Sequence, residues 1–202
     1  MKLLLTSSGF DNPNISKRFI ELCNTPIEKI KIFFIPLASR TDEELRYVEE
    51  SKEELYDLGI KKENLIISDF KKDDQKFEDV NVIYVCGGNT YYLLDELKKS
   101  GFDKKLIDLT KKDVVYVGVS AGSILAGPDI EIVGFGVEGD ENDVGLKDLS
   151  SLNLVNFTIF PHYKDKLKNE VEDFRKRVNY NVIALRDGEA VLVVDDKKEV
   201  IR

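Results

Sequence analysis

A serine lies between two glycines at the end of a strongly apolar run, in the pentapeptide GVSAG (118–122). The run VVYVGVS (114–120) predicts a buried strand, and the small and apolar residues of 121–127 predict a helix directly after it. A strand that turns sharply into a helix strains the corner residue and presents its side chain at the edge of the sheet. This context predicts that Ser120 is a nucleophile, whereas a chance match or a simple helix N-cap would explain the pentapeptide alone.

A second chemical group is the only histidine of the chain, His162, which follows the apolar run LVNFTIFP (154–161). A serine nucleophile needs a general base, and histidine is the usual one. An acidic side chain would orient the imidazole, and Asp187 and Glu189 are the first candidates because their turn, RDGE, follows the predicted strand 181–185. Further candidates for this acid are Asp129, Glu131 and the acidic residues of the loop 138–143.

A glycine-rich turn, CGGNT (86–90), follows another apolar run and opens another predicted helix. Glycine allows close backbone approach, so a glycine N–H of this turn could point at a reacting carbonyl. Cys86 is interpreted as a residue of the strand core because the run VIYV leads directly into it.

These residues require a sheet whose strands end at a common edge. Apolar runs typical of buried strands occupy 3–6, 30–38, 64–68, 80–88, 114–120, 154–161, 181–185 and 190–194. Helical patterns occupy 14–24, 42–58, 90–99, 102–111, 121–127 and 165–178, with a capping box at Thr41 and Glu44. Their alternation predicts an α/β protein with a doubly wound, mostly parallel sheet and helices on both faces. The Asp-Gly turn between the strands 181–185 and 190–194 predicts a C-terminal antiparallel hairpin, all within a single domain, 1–202.

Composition excludes several classes of protein. The chain has 202 residues, a net charge of −8 and 30 basic residues scattered among 38 acidic ones, so nucleic-acid binding is not expected. Two cysteines suit a reducing cytoplasm, and the N-terminus lacks the apolar region of a signal peptide. No apolar run is long enough for a membrane span. The acidic segment 137–148 does not fit a calcium-binding loop and no zinc spacing exists, so neither a metal nor a cofactor is expected.

The motifs CGGNT, GVSAGS, PHY and an acidic turn before AVLVV together resemble the peptidase E family of serine peptidases (S51), over nearly the whole chain. The resemblance implies a class I glutamine amidotransferase-like fold with serine at the position of the cysteine. It implies Ser120 as nucleophile, His162 as base, and the N–H groups of Gly88 and Ala121 as an oxyanion hole. Alignment on the family's acidic turn places the acid at Asp187, with Glu189 as the alternative.

The same resemblance implies a small peptide substrate, with an N-terminal aspartate in peptidase E itself. A cation would have to neutralise that aspartate. The candidates are Lys164, Lys166, Lys168, Arg175 and Arg186. Two other functions remain open: an amidotransferase-like hydrolase of another amide or ester, and a non-catalytic protein that retains the fold. The sequence does not determine the oligomeric state and is compatible with a homodimer.

Overall fold

The computed structural model of the protein describes residues 1–68, 79–135, 139–195 and 197–202. Its strands are β1 (Lys2–Thr6), β2 (Ile32–Ile35), β3 (Leu65–Ile67), β4 (Val82–Val85), β5 (Val115–Val119), β6 (Phe157–Phe160), β7 (Asn181–Ala184), β8 (Ala190–Val194) and β9 (Lys197–Ile201). Its helices are α1 (Pro13–Cys23), α2 (Asp42–Asp57), α3 (Thr90–Ser100), α4 (Phe102–Thr110), α5 (Ala121–Ile124) and α6 (Lys168–Arg175). Short 3₁₀ turns cover Ile27–Lys29, Lys62–Asn64, Glu131–Gly134 and Asp165–Leu167.

Within the described residues, seven strands form one sheet in the order β3-β2-β4-β5-β1-β8-β9. The first five strands of this order are mutually parallel, whereas β8 runs antiparallel to both β1 and β9. β6 and β7 pair in parallel as a separate two-stranded sheet. The prediction of a mostly parallel α/β sheet with antiparallel C-terminal strands is therefore confirmed.

Side-chain alternation along the central strands builds a core on each face of the large sheet. Leu3 and Leu5 of β1 pack with residues of α3, α4, α5 and α6, whereas Leu4 packs on the opposite face with residues of α1 and α2. The central strands β2, β4 and β5 are buried along their whole length. This burial on both faces explains their near-continuous apolar sequences.

Helix ends follow the local sequence. Helix α2 begins with the predicted capping box, in which the Thr41 hydroxyl accepts from the Glu44 N–H and the Glu44 carboxylate accepts from the Thr41 N–H. Helix α5 ends at Ile124, earlier than the predicted 127, and Gly127 and Pro128 follow shortly after it. Proline cannot continue a helix and disfavours a helical conformation in the residue before it.

The predicted pairing of the strands 181–185 and 190–194 is wrong. β7 pairs with β6 in the small sheet, and β8 forms its hairpin with β9 instead. The RDGE turn carries the chain from the small sheet to the large one, and therefore does not close a hairpin. β9 was not predicted because its sequence, KKEVI, contains no apolar run and its first four residues are exposed. Charged residues of this kind are typical of an edge strand.

Candidate active site

Ser120 occupies the corner between β5 and α5, in the strained conformation that its sequence context predicts. Its backbone angles are φ 48° and ψ −108°. For a residue with a side chain this conformation costs about 1–3 kcal/mol, so the surrounding structure must impose it. The Ser120 N–H donates to the Thr6 carbonyl oxygen at 3.1 Å, which fixes the corner against β1.

Both glycines of the pentapeptide are required by close packing. A Cβ atom on Gly118 would lie 2.5 Å from the Gly122 carbonyl oxygen, and one on Gly122 would overlap the Val85 carbonyl oxygen. Two buried hydroxyls stabilise the same turn. Tyr116 donates to the Gly122 carbonyl oxygen at 2.7 Å, and the Ser123 Oγ lies 2.7 Å from the Gly118 carbonyl oxygen.

His162 lies beside Ser120, two residues beyond the end of β6. Its Nε2 is 3.0 Å from the Ser120 Oγ, and its Nδ1 is 2.6 Å from the Asp187 Oδ1. A carboxylate can only accept a hydrogen bond, so Nδ1 carries the proton of the neutral ring. Nε2 is then free to accept the Ser120 proton. About half of the surface of each of the His162 and Asp187 side chains is exposed (49% and 55%), so solvent reaches the pair.

The alternative acids have other partners. Glu189 accepts from the Arg186 N–H at 2.9 Å and lies 3.4 Å from the Arg202 Nε. Asp129 accepts from the Tyr180 hydroxyl, and Asp140 accepts from the Thr90 N–H at 2.7 Å. Among the described residues, only Asp187 contributes a carboxylate to the His162 ring. Residue 138 and residue 137, which belong to the predicted acidic loop, lie outside the described residues.

Gly88 and Ala121 are close to the serine, as expected of residues that provide backbone N–H groups. Gly88 has φ +124°, and a Cβ atom there would overlap the Ala38 carbonyl group, so the turn requires glycine. On the neighbouring Gly87 a Cβ atom would lie 3.2 Å from the Ser120 Cβ, which places this turn against the serine. In the described part of the chain, neither the Gly88 N–H nor the Ala121 N–H donates to another group.

Ser7, which no motif of the sequence indicated, follows β1 at the same edge of the sheet and is fully buried. Its hydroxyl oxygen accepts from the His162 backbone N–H at 2.8 Å and lies 3.1 Å from the Asp187 Oδ1. The available signal was the hydroxyl-rich segment TSSG directly after an apolar strand, because parallel strands end at one edge. His162 itself has φ 54°, a rare value that this backbone contact supports.

Cys86 is buried in the core, as predicted, and burial raises the pKa of its thiol far above the ordinary value. A thiol in this state forms little thiolate, which is the nucleophilic form. The Cys86 thiol is therefore poorly suited to act as a nucleophile.

Two cavities meet at Ser120 and His162. The smaller one, of about 130 Å³, has mainly apolar walls that include Ile124, Phe135 and Leu167. The larger one, of about 520 Å³, extends between the loop after β1 and helix α2. No group of three or more His, Cys, Asp or Glu side chains in the described ranges is arranged to hold a metal ion. None of the helices described here is long and apolar enough to cross a lipid bilayer.

A half-buried serine at a strained strand–helix corner of a mostly parallel sheet, hydrogen-bonded to a histidine, defines a serine-type hydrolase. The sequence profile of Peptidase family S51 matches residues 3–201, and the chain belongs to this family. The resemblance to the peptidase E family is thereby confirmed, and the protein is a peptidase of the serine type.

Individual relatives agree with this assignment. An uncharacterized peptidase of Listeria monocytogenes is 33% identical over 173 residues, which cover 85% of this chain and 82% of that protein. Peptidase E of Shigella flexneri is 30% identical over 151 residues, which cover 71% of this chain and 62% of that protein. A solved structure of a provisionally named peptidase E protein from Listeria monocytogenes EGD-e has a TM-score of 0.80 and 29% identity, and the match covers 100% of this chain and 98% of that one.

Proposed function

We propose that this peptidase hydrolyses short peptides through an acyl-enzyme formed on Ser120, with His162 as general base and Asp187 as its orienting acid. The observation that carries the proposal is the unbroken series of contacts from the Ser120 Oγ through both imidazole nitrogens to the Asp187 carboxylate, at 3.0 and 2.6 Å. In this geometry the serine proton moves to Nε2 as Oγ attacks the scissile carbonyl carbon.

The negative charge that develops on the carbonyl oxygen is stabilised by the N–H groups of Gly88 and Ala121. When the tetrahedral intermediate collapses, the imidazolium returns its proton to the leaving amine. Water then attacks the acyl-enzyme by the same route and releases the acid product. Asp187 accepts from Nδ1 throughout, which keeps the ring oriented and stabilises the imidazolium form.

A short peptide is favoured over a folded protein because the site is divided into two cavities of limited size around the nucleophile. The larger has a volume of about 520 Å³ and the smaller about 130 Å³, which together suit a ligand of a few residues. Transfer of ammonia from glutamine is disfavoured, since that chemistry ordinarily uses a cysteine nucleophile and Cys86 is buried.

An N-terminal aspartate, which the family resemblance implies, requires a cation beside the substrate carboxylate. Among the described residues that line the two cavities there is no lysine or arginine. Arg175 instead pairs with Glu172, and Arg186 pairs with Asp165. The exposed side chains of Lys164, Lys166 and Lys168 likewise do not line either cavity. The five candidate cations therefore give the aspartate preference no support, and the proposal specifies only a short peptide.

The decisive experiment is a comparison of the wild type with Ser120→Ala on fluorogenic dipeptides and simple esters. Loss of the nucleophile should lower kcat by at least about 10³-fold while the far-UV circular dichroism stays unchanged. Labelling of the wild type by a serine-reactive phosphonate, followed by peptide mapping, should place the adduct on Ser120. Unchanged turnover in Ser120→Ala, or an adduct at another residue, would refute the proposal.

A further inference from the structure

The two cavities that meet at Ser120 differ in the charge of their walls. The smaller cavity is mainly apolar. The larger one is lined by four carboxylates from the loop after β1 and from helix α2: Asp11, Glu44, Glu50 and Glu54. Asp140 lines both cavities. Since no lysine or arginine among the described residues lines the larger cavity, its walls carry net negative charge beside Ser120.

Two of these four carboxylates already have a structural role. Glu44 completes the capping box at the start of α2, and Glu50 lies 3.5 Å from the Arg46 guanidinium. Asp11 and Glu54 are different, because neither has a cationic partner among the described residues. Glu54 is half-buried and accepts from the Phe10 N–H at 3.2 Å. Burial, together with the neighbouring Asp11 carboxyl, raises the pKa of Glu54.

A buried hydroxyl lies close to the same wall but does not line the cavity. Tyr84 is fully buried, and its hydroxyl has no hydrogen-bond partner at ordinary distance in the described residues. The phenol interacts electrostatically with Asp11 and Glu54 and lies near Ser51, all of which line the larger cavity. A buried polar group without a partner at ordinary distance is unfavourable, so the hydrogen bonds on this side of the cavity are incomplete.

We propose that the larger cavity binds a cationic group of the peptide, an ammonium or a guanidinium, between Asp11 and Glu54. A cation there would relieve the repulsion between the two carboxylates, and its N–H groups would supply the donors that the acidic wall lacks. An acidic side chain in the same place would meet only like charge. The inference rests on the proposed function of Ser120, because it selects which peptides present their carbonyl to that serine.

The first test is a kinetic panel in which charge changes at nearly constant shape. Lys-Ala and Arg-Ala are compared with norleucine-Ala and citrulline-Ala, and with the N-acetylated form of each, in the wild type, Asp11→Asn and Glu54→Gln. Glu53→Gln is the matched control, since it removes one carboxylate from the exposed face of α2 outside the cavity. A charged side chain or a free α-amine should raise kcat/KM at least about tenfold in the wild type and in Glu53→Gln.

That advantage should shrink to about threefold or less in Asp11→Asn and Glu54→Gln, and high salt should weaken it. A side-chain cation is identified if the advantage survives N-acetylation, and an α-amine if it does not; both outcomes support the proposal. Equal rates across the whole panel, or an advantage that both cavity variants retain, would overturn it.

A second test separates this inference from the proposed catalytic function by avoiding turnover. Lysinamide is titrated into Ser120→Ala and followed by NMR or calorimetry. Its affinity should fall at least about tenfold when Asp11→Asn or Glu54→Gln is added, but not when Glu53→Gln is added. Such binding in a protein whose wild type cleaves no peptide would refute the catalytic proposal alone. Peptide cleavage without lysinamide binding, or binding that Mg²⁺ abolishes at micromolar concentration, would refute the cation subsite alone.

Discussion

The hydroxyl of Ser7 lies 3.1 Å from Oδ1 of Asp187, the same carboxylate oxygen that lies 2.6 Å from the imidazole of His162. The hydroxyl also accepts the backbone N–H of His162 at 2.8 Å. It has a single proton, and Asp187 is a nearer acceptor than the Leu185 carbonyl oxygen at 3.4 Å. The Ser7 side chain, in the loop after β1, thus contacts both the proposed base and the proposed acid.

Ser7→Ala should lower kcat by about 10–100-fold, because the acid and the base lose a side chain that contacts both of them. KM should change little, because the small Ser7 side chain offers little surface for contact with a substrate. Ser7→Thr retains the hydroxyl and should recover much of the rate. Thr110→Val is the control, since it removes a buried hydroxyl that donates to the Ile107 carbonyl oxygen on the distant helix α4. A similar loss of kcat in Thr110→Val would show that the Ser7 effect is one of general stability.

Asp187→Asn should lower kcat by about 10³–10⁴-fold, because an amide can donate to Nδ1 and so favour the wrong tautomer of His162. Glu189→Gln should stay within a few-fold of the wild type, since Glu189 contacts Arg186 and Arg202 rather than the ring. Steady-state rates of both variants on one ester substrate measure this difference. If Glu189→Gln were the more damaged variant, the acid would be assigned to Glu189.

Activity should decline on acidification, because an imidazole protonated at Nε2 cannot accept the proton of Ser120. On the acid side of this transition, kcat/KM should fall by about tenfold for each pH unit. The measurement is a profile of kcat/KM between pH 5 and 8, with circular dichroism at each pH to exclude unfolding. A flat profile over this range would contradict the role of His162 as the base.

Glu54→Gln should increase the free energy of unfolding at pH 7 but not at pH 4. The folded state raises the pKa of Glu54, chiefly through burial, above the ordinary value of 4.5. Below pH 4.5 the carboxyl is mostly neutral in the folded and in the unfolded protein, so it carries little desolvation penalty. Above its raised pKa it is charged in the folded protein and carries that penalty. Glutamine retains the acceptor for the Phe10 N–H without that charge.

Urea unfolding of the wild type and Glu54→Gln at the two pH values measures this effect, with the exposed Glu53→Gln as control. A stabilised but less selective Glu54→Gln enzyme would indicate that the carboxylate is kept for binding at a cost in stability. If Glu54→Gln were instead destabilised relative to the wild type at pH 7 but not at pH 4, Glu54 would have a stabilising cationic partner.

Local features of the fold were predictable, and long-range pairings were not. The capping box at Thr41 and Glu44 and the turn at Ser120 are specified by residues a few positions apart, so the sequence alone indicates them. The parallel pairing of β6 with β7 depends on residues about 25 positions apart, and no local pattern distinguishes it from a hairpin. The role of Ser7 could not be predicted for the same reason, since the residues that it contacts lie more than 150 positions away in the sequence.

The separation of the two sheets has a consequence for how the proposed triad is held together. Ser120 follows a strand of the large sheet, whereas His162 and Asp187 both follow strands of the small one. A rigid displacement of the small sheet would lengthen the distance from Nε2 to Oγ and would also break the contacts of Ser7 with His162 and Asp187. The spacing between the serine and the imidazole therefore depends on how the two sheets pack, whereas the pairing of the imidazole with its carboxylate depends on the two loops of the small sheet alone.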